Sequence, residues 1–332
     1  MTSPNITSPK PAAPAAKFAS RFDRFQVGLL VASALAVCFA LVYGGYLLTV
    51  MQMAMIYAIF CVGLNFFMGY TGQASFGQNA FACIGGYGSA ILCVQYGWEP
   101  ALALIGAMVI AGFFALIIGY PTLRLRGHYL AMATFSLGLI TYDISIQWTS
   151  VTQGYMGYAG IPSLGIGSWT VESERWKLVV LAVLLAFAFW LSLRMRDSRF
   201  GRGLRAISGS ENGAAALGVR VPRFKLIAFV VAALYASAAG SLYAYTFNFI
   251  SPEAFGPQMS ILTFTMLFVG GVGTIVGPII GAVVTSLLQE VVRGSGHYQD
   301  IAYAAVLLAT LIYAPKGLSA LGKLFRRKKE EA

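Results

Sequence analysis

Charge is scarce in this chain: Asp, Glu, Lys and Arg make up only 11% of its 332 residues, against about 25% in soluble domains. A water-soluble enzyme needs a charged surface, and a disordered chain needs charge in place of hydrophobicity, so the composition argues against both. Cysteine and histidine are equally sparse. Cys38, Cys61, Cys83 and Cys93 each lie inside an apolar stretch and form no C-x-x-C pair, and the histidines are His128 and His297 alone. That argues against a disulfide scaffold and a metal centre, and the cysteines read as buried small hydrophobes. No polar stretch is long enough to fold as a soluble domain of its own.

What is present is apolar length. Hydrophobic residues make up 58% of the chain, and the mean hydropathy is +0.73. A membrane-crossing helix needs about 20 mostly apolar residues. Runs of that kind fall at 27–46, 48–68, 79–95, 101–120, 129–148, 177–193 and 224–247, with shorter or glycine-interrupted ones at 259–273, 277–292 and 301–314. The expected fold is therefore all-α, a polytopic membrane bundle of about ten transmembrane helices with broken or re-entrant Gly-rich segments. Residues 1–26 read as a flexible cytoplasmic tail before an uncleaved first helix, 27–315 as the transmembrane domain, and 316–332 as a basic cytoplasmic tail.

The 23 Lys and Arg outnumber the 12 Asp and Glu, a formal +11. Such an excess suggests nucleic acid until its placement is read. It is concentrated in the N-terminal tail (Lys10, Lys17, Arg21, Arg24), the turn with Arg124 and Arg126, the stretch 194–225, and the tail 323–329. With ten spans, all four fall on one side, which the positive-inside rule assigns to the cytoplasm. The opposite connections hold Glu99, Glu172, Glu174, Glu253 and Asp300, with Trp98, Trp148, Trp169 and Trp176 near that face as interfacial aromatics. The basic balance thus fits a membrane surface and its lipid, with no nucleic-acid partner.

Two uncharged breaks interrupt the apolar runs. The first contains Gly69, Thr71, Gly72, Gln73, Ser75, Gly77, Gln78 and Asn79, just beyond Asn65; the second contains Gly270, Gly271, Gly273, Gly277 and Pro278. Unwound backbone inside a membrane supplies polar groups, so paired breaks point to a transport path. On this topology both breaks turn at the same face, a parallel repeat. The competing reading is a tight helical hairpin, and Gly273, Gly277 and Gly281 do form a small-xxx-small stripe. The candidate path residues are Asn65, Gly69, Thr71, Gly72, Gln73, Ser75, Gly77, Gln78, Gly270, Gly271, Gly273 and Gly277.

The segment 196–223 is the second informative stretch. Ser210 can cap a short helix over 211–217 and Gly218 can end it. A surface helix of Ala and Leu suits a partner's groove; a basic segment lying on anionic lipid is the alternative. Asp143 and Glu290 lie towards the outer ends of their spans, where they face either water or the interface. His128 stands at an inner boundary. The run Gly317 to Lys323 has phosphate-loop spacing, but Leu324 replaces the required Ser or Thr, so ATP binding by this chain is rejected. No nucleophile–base pair or metal-ligand cluster stands out, and no cofactor is implied.

At these stretches the sequence resembles a known family. The run from Gly63 to Gly77, through Asn65, Gly69, Gly72, Gln73 and Ser75, is similar to the signature of permease subunits of branched-chain amino acid ABC importers. The run 123–134, with Arg126, Gly127 and His128, resembles the M-type permease of that system. Ser198 to Ile207 with Ala215 to Val219 is similar to the family's coupling loop, and Gly270 to Pro278 to its late glycine-rich segment. Gln78 stands where the family usually has His, and Glu211 to Ala215 is a loose form of the importers' Glu-Ala-Ala loop. The resemblance covers roughly 27–320.

It implies a bacterial inner-membrane machine. A periplasmic binding protein would deliver substrate, a second homologous permease would complete the path, and two ATP-binding subunits would dock beneath. On this chain the docking residues would be Arg199, Gly201, Arg202, Arg205, Glu211, Ala214, Ala215, Leu217 and Gly218. Both termini would be cytoplasmic and no reaction would occur on this subunit. The implied cargo is a branched-chain or related apolar amino acid. Urea, short amides and aromatic acids are the alternatives within the family. An ion-coupled secondary carrier is a further one, disfavoured by the lack of intramembrane charge pairs.

Overall fold

The computed structural model describes residues 24–166 and 169–293, with isolated positions between 304 and 318. In chain order the helices are α1 (Arg24–Tyr43), α2 (Tyr46–Thr71), α3 (Gln78–Val94), α4 (Pro100–Thr122), α5 (His128–Gln147), α6 (Thr149–Thr152), α7 (Glu174–Asp197), α8 (Arg199–Gly209), α9 (Glu211–Ala216), α10 (Val221–Phe247), α11 (Pro257–Gly270) and α12 (Gly277–Arg293). Five of them, α2, α4, α5, α7 and α10, are long and apolar enough to cross a membrane, and α1, α11 and α12 are shorter apolar helices. The chain is a polytopic helical membrane protein. Residues 1–23 of the expected tail 1–26, most of the run 301–314 and the stretch 319–332 lie outside the described residues.

Punctuation residues set the helix ends. Pro100, Pro222 and Pro257 stand in first turns, where a missing N–H costs nothing. Gly72 adopts φ 71° and its N–H bonds Met68 O, closing α2 with a left-handed residue that glycine reaches without strain.

The bundle is built around α2 and α10, which pack on each other and on α3, α4, α7 and α12. Of the apolar window of α2, 78% is buried, against 22% for α5 and for α7. Lipid-like exposure marks the outer helices: α4 presents Val109, Phe113 and Ile117, and α7 presents Val183, Phe187 and Trp190. Two small antiparallel ribbons close one end, β1 (Tyr158–Ala159) with β4 (Phe249–Ile250) and β2 (Gly165–Ile166) with β3 (Trp169–Thr170).

That end is also pinned by a buried lysine. Lys177 Nζ on α7 donates to Glu174 Oε1 at 2.9 Å, Thr246 O at 2.9 Å and Asn248 Oδ1 at 3.3 Å, while Gln52 Nε2 of α2 donates to Glu174 Oε2 at 2.9 Å. The outer helix α7 is thereby tied to the central helices α2 and α10 at one level. A buried ammonium is tolerated because each of its donors has an acceptor.

The opposite end carries Arg124, Arg126, Arg194, Arg196 and the arginines of α8. The stretch 196–223, expected as a loop with one short helix, holds two. Helix α8 was not foreseen: three glycines in eleven residues argue against a helix. Tertiary packing overrides propensity. Leu204 and Ile207 are buried, Phe200 stacks on Phe224 at 5.6 Å, and any side chain at Gly201 would meet the Arg196 backbone.

Candidate functional site

The arginine-rich end brings both glycine breaks and the helix pair α8–α9 together. After α2 closes at Gly72, residues 72–77 carry no regular secondary structure before α3 begins. This segment is threaded between α5 and α11: Phe76 N–H donates to Thr134 Oγ1 at 3.2 Å, and Ser260 Oγ donates to Phe76 O at 2.6 Å. Thr134 lies six residues into α5, about 9 Å along its axis. Asn79 meets Gly138, about 15 Å along it. Helix α3 therefore starts well inside the bundle rather than at its edge, as a half-helix. Asn79 Nδ2 donates to Phe255 O at 2.9 Å, just ahead of α11, whose own first turn stands at the same level.

The second break turns directly from α11 into α12. Gly270, Gly277 and Gly281 are in backbone contact, so that a Cβ at Gly270 would overlap Gly277 O. This is a tight hairpin, but of the expected stripe only Gly277 and Gly281 lie on α12; Gly273 stands in the turn before it, and Gly270 makes the close contact instead. Gly271 O accepts from Thr274 Oγ1 at 2.7 Å, and Thr274 Oγ1 accepts from Gly277 N–H at 3.1 Å, so the turn holds itself.

Asn65 joins the two breaks. Its Oδ1 accepts from Gly273 N–H at 2.8 Å and its Nδ2 donates to Thr274 O at 2.9 Å. A Cβ at Gly69 would lie 2.7 Å from Gly273 N, so the backbones touch there because neither residue has a side chain. Of the sequence-predicted path residues, Asn65, Gly69 and Gly273 thus meet. Thr71 is buried and bonds back to Phe67 O. Gly77 packs on the Thr134 backbone. Ser75 and Gln78 are each 2% exposed and their side chains have no hydrogen-bond partner among the described residues.

Gln73 faces the other way. Its Nε2 donates to Glu211 Oε1 at 3.0 Å, and the same oxygen accepts from Lys225 Nζ at 2.5 Å. Glu211 opens α9, Gln73 lies in the first break and Lys225 in the first turns of α10. One carboxylate therefore links three elements. Gln73 and Glu211 belong to separate segments 138 positions apart, and only folding places them in contact.

Helix α9 is capped as expected, with Ser210 Oγ accepting from Gly213 N–H at 3.1 Å, and it ends at Gly218, φ 83°. Ala214 is buried against Ile207 and Val221, whereas Ala215 is exposed and Leu217 is 83% exposed. An apolar helix face standing off the bundle has no partner within the described chain. On α8, Arg202 Nη1 donates to Asp197 O at 2.8 Å and Arg205 Nε to Gly201 O at 3.3 Å, bracing the turn from α7, while Arg199 is exposed.

The exposed line of α5 runs through Tyr129, Met132, Ser136, Ile140, Asp143 and Gln147. Three of its members are polar, whereas the exposed faces of α4 and α7 cited above are wholly apolar. Hydrocarbon does not favour an ionised carboxylate. Asp143 was singled out from sequence as facing either water or the interface, and its helical register with Ser136 and Gln147 now makes it part of a stripe. Among the described residues, no group of three His, Cys, Asp or Glu could hold a metal ion.

Comparison with known proteins follows the same lines. A family model described as the permease component of the branched-chain amino acid transport system matches residues 46–314. The high-affinity branched-chain amino acid transport system permease protein LivM of Escherichia coli strain K12 is 29% identical over 319 residues, covering 89% of this chain and 74% of that protein. LivM of Salmonella typhimurium is 30% identical over 294 residues, covering 80% and 68%. The permease protein LivH of Escherichia coli strain K12 is 27% identical over 289 residues, covering 79% and 90%.

Proposed function

The chain belongs to the permease components of the branched-chain amino acid transport system, and from that membership we propose that it moves branched-chain or related apolar amino acids inward as one permease of an ATP-driven importer. Its work is transport, not catalysis. A second homologous permease completes the path, two ATP-binding subunits dock on α9, and a periplasmic binding protein delivers the cargo. Both termini and α8–α9 are cytoplasmic, since that is the arginine-rich side.

The observation that carries the reading is the Gln73–Glu211–Lys225 junction, because it connects the partner-facing helix to a broken helix. Closure of the ATPases pushes α9 through the exposed Ala215 and Leu217. Glu211 passes the displacement to Gln73 and, through Lys225, to α10. Residues 72–77 are in turn bonded to α5 at Thr134, so the push reaches the polar stripe of α5. Ser136, Asp143 and Gln147 line the water-filled path opposite the second permease. The switch between outward and inward access is then a rigid-body change of packed helices. The half-helix start of α3 presents its positive dipole end inside the bundle, which suits the carboxylate of a zwitterionic cargo.

Uptake of labelled leucine by vesicles carrying the importer, with and without this chain, tests the cargo; uptake unchanged by its removal overturns the reading. Ala215→Glu tests docking separately. It abolishes substrate-stimulated ATP hydrolysis while the protein stays inserted, and normal stimulation would rule out α9 as the contact.

A further inference from the structure

A cavity of about 550 Å³ opens at the arginine-rich end, between the last turn of α4, the first turns of α10 and the flank of α9. Its chemistry is divided. Tyr120, Leu123, Val221 and Leu226 form an apolar wall, while Arg124, Arg126 and Arg223 stand around it. The one carboxylate in the lining, Glu211, is already held by Lys225 at 2.5 Å. Among the described residues none of the three arginines makes an ion pair. Arg124 is oriented by its guanidinium lying 4.9 Å from the centre of the Tyr120 ring.

The apolar wall continues into the exposed face of α4, where Tyr120 is 63% and Ile117 53% exposed. A ligand entering from that side meets hydrocarbon-compatible surface first and three uncompensated guanidinium groups at its polar end. Guanidinium forks match phosphate oxygens bidentately. A free phosphate has no use for the apolar wall, whereas a lipid uses both parts.

We propose that this cavity binds the phosphate-bearing headgroup of an anionic phospholipid, with the glycerol and upper chains against Tyr120, Leu123 and Leu226. Asn212 and Ala215 of α9 form the facing wall. A bound headgroup therefore braces the partner-facing helix against α4, and the lipid becomes a structural part of the coupling end. The site requires only that this end of the bundle lie at a membrane surface, so it stands apart from the identity of the cargo.

Native mass spectrometry of the purified full-length chain tests the site, with phosphatidylglycerol, phosphatidylcholine and inorganic phosphate as probes. The wild-type chain retains one phosphatidylglycerol beyond background, and little phosphatidylcholine. The variant R124Q/R126Q/R223Q lowers that retention about tenfold, while R199Q/R202Q, on α8 and off the cavity, leaves it unchanged. If the triple variant fails to fold, Leu226→Trp, which fills the apolar wall, gives the same loss. Equal retention in the triple variant, or equal retention of phosphatidylcholine, overturns the proposal. Inorganic phosphate binding as tightly as phosphatidylglycerol assigns the arginines to a free anion and overturns the lipid assignment.

Discussion

Asn65 on α2 accepts a hydrogen bond from the Gly273 N–H at 2.8 Å, across 208 residues of sequence. The same side chain donates to Thr274 O, so one carboxamide satisfies a donor and an acceptor of the turn between α11 and α12. In a membrane interior those backbone groups have no water to turn to. The contact therefore ties the second break to α2.

Replacing Asn65 with Ala removes both bonds that tie α2 to the half-buried turn. The expected loss is about 1–3 kcal/mol, read as a lower melting temperature of the purified protein in detergent. Asn65→Asp keeps the acceptor, loses the donor and buries a charge, so it is no better. A melting temperature unchanged in both variants would show that the turn holds without Asn65.

Gly69→Ala inserts a methyl group against Asn65 Oδ1 and 2.7 Å from Gly273 N, displacing the side chain that bonds the turn and crowding the two breaks. A destabilisation of about 1–3 kcal/mol is expected for such overpacking. Gly209→Ala, where no atom lies within 4 Å of an added Cβ, is the control and leaves melting nearly unchanged. Equal behaviour of the two variants contradicts the close approach.

The Gln73–Glu211 bond predicts non-additivity. In the assembled importer, Gln73→Ala and Glu211→Gln each lower substrate-stimulated ATP hydrolysis. The double variant then loses less than the sum of the two, with a coupling of about 0.5–3 kcal/mol. Strict additivity would mean that the contact transmits nothing.

The stripe on α5 predicts a difference in solvent access. In a Cys38→Ser background, Ser136→Cys reacts with a membrane-impermeant thiol reagent in the assembled importer, and Val109→Cys on α4 does not. Equal protection of both positions would place α5 against lipid or protein instead of water.

Lys177→Ala leaves Thr246 O and Asn248 Oδ1 without their donor. The expected loss is about 1–3 kcal/mol, seen as earlier unfolding. Limited proteolysis near 158–166 should also accelerate, because Asn248 itself holds Ile161 O and Ser163 Oγ. Unchanged melting would mean that the pin is dispensable.

Much of the frame was legible from the residues alone. The apolar run 48–68 became Tyr46–Thr71, 79–95 became Gln78–Val94, and 224–247 became Val221–Phe247. The cap at Ser210 and the stop at Gly218 were equally readable, since both are local backbone chemistry. Helix α8 was not, because Gly201, Gly203 and Gly209 lower its propensity and only its neighbours show why Gly201 and Gly203 are there. Gly203 lies against the Phe224 ring, where a Cβ would clash. Lys177 carries no local signal, because its acceptors Thr246 O and Asn248 Oδ1 lie 69 and 71 positions further along the chain.

By itself, then, the amino-acid order determined where the long apolar helices run and where along the chain the arginines gather. Those properties are local: a bilayer demands about 20 apolar residues per crossing and a charge rule at each end. Tertiary structure alone decided what the polar residues inside that frame do. Asn65 reaches Thr274 across 209 positions and Gln73 reaches Glu211 across 138. A hydrogen bond depends on distance and angle in space, and no periodicity along the chain encodes a meeting between helices so far apart.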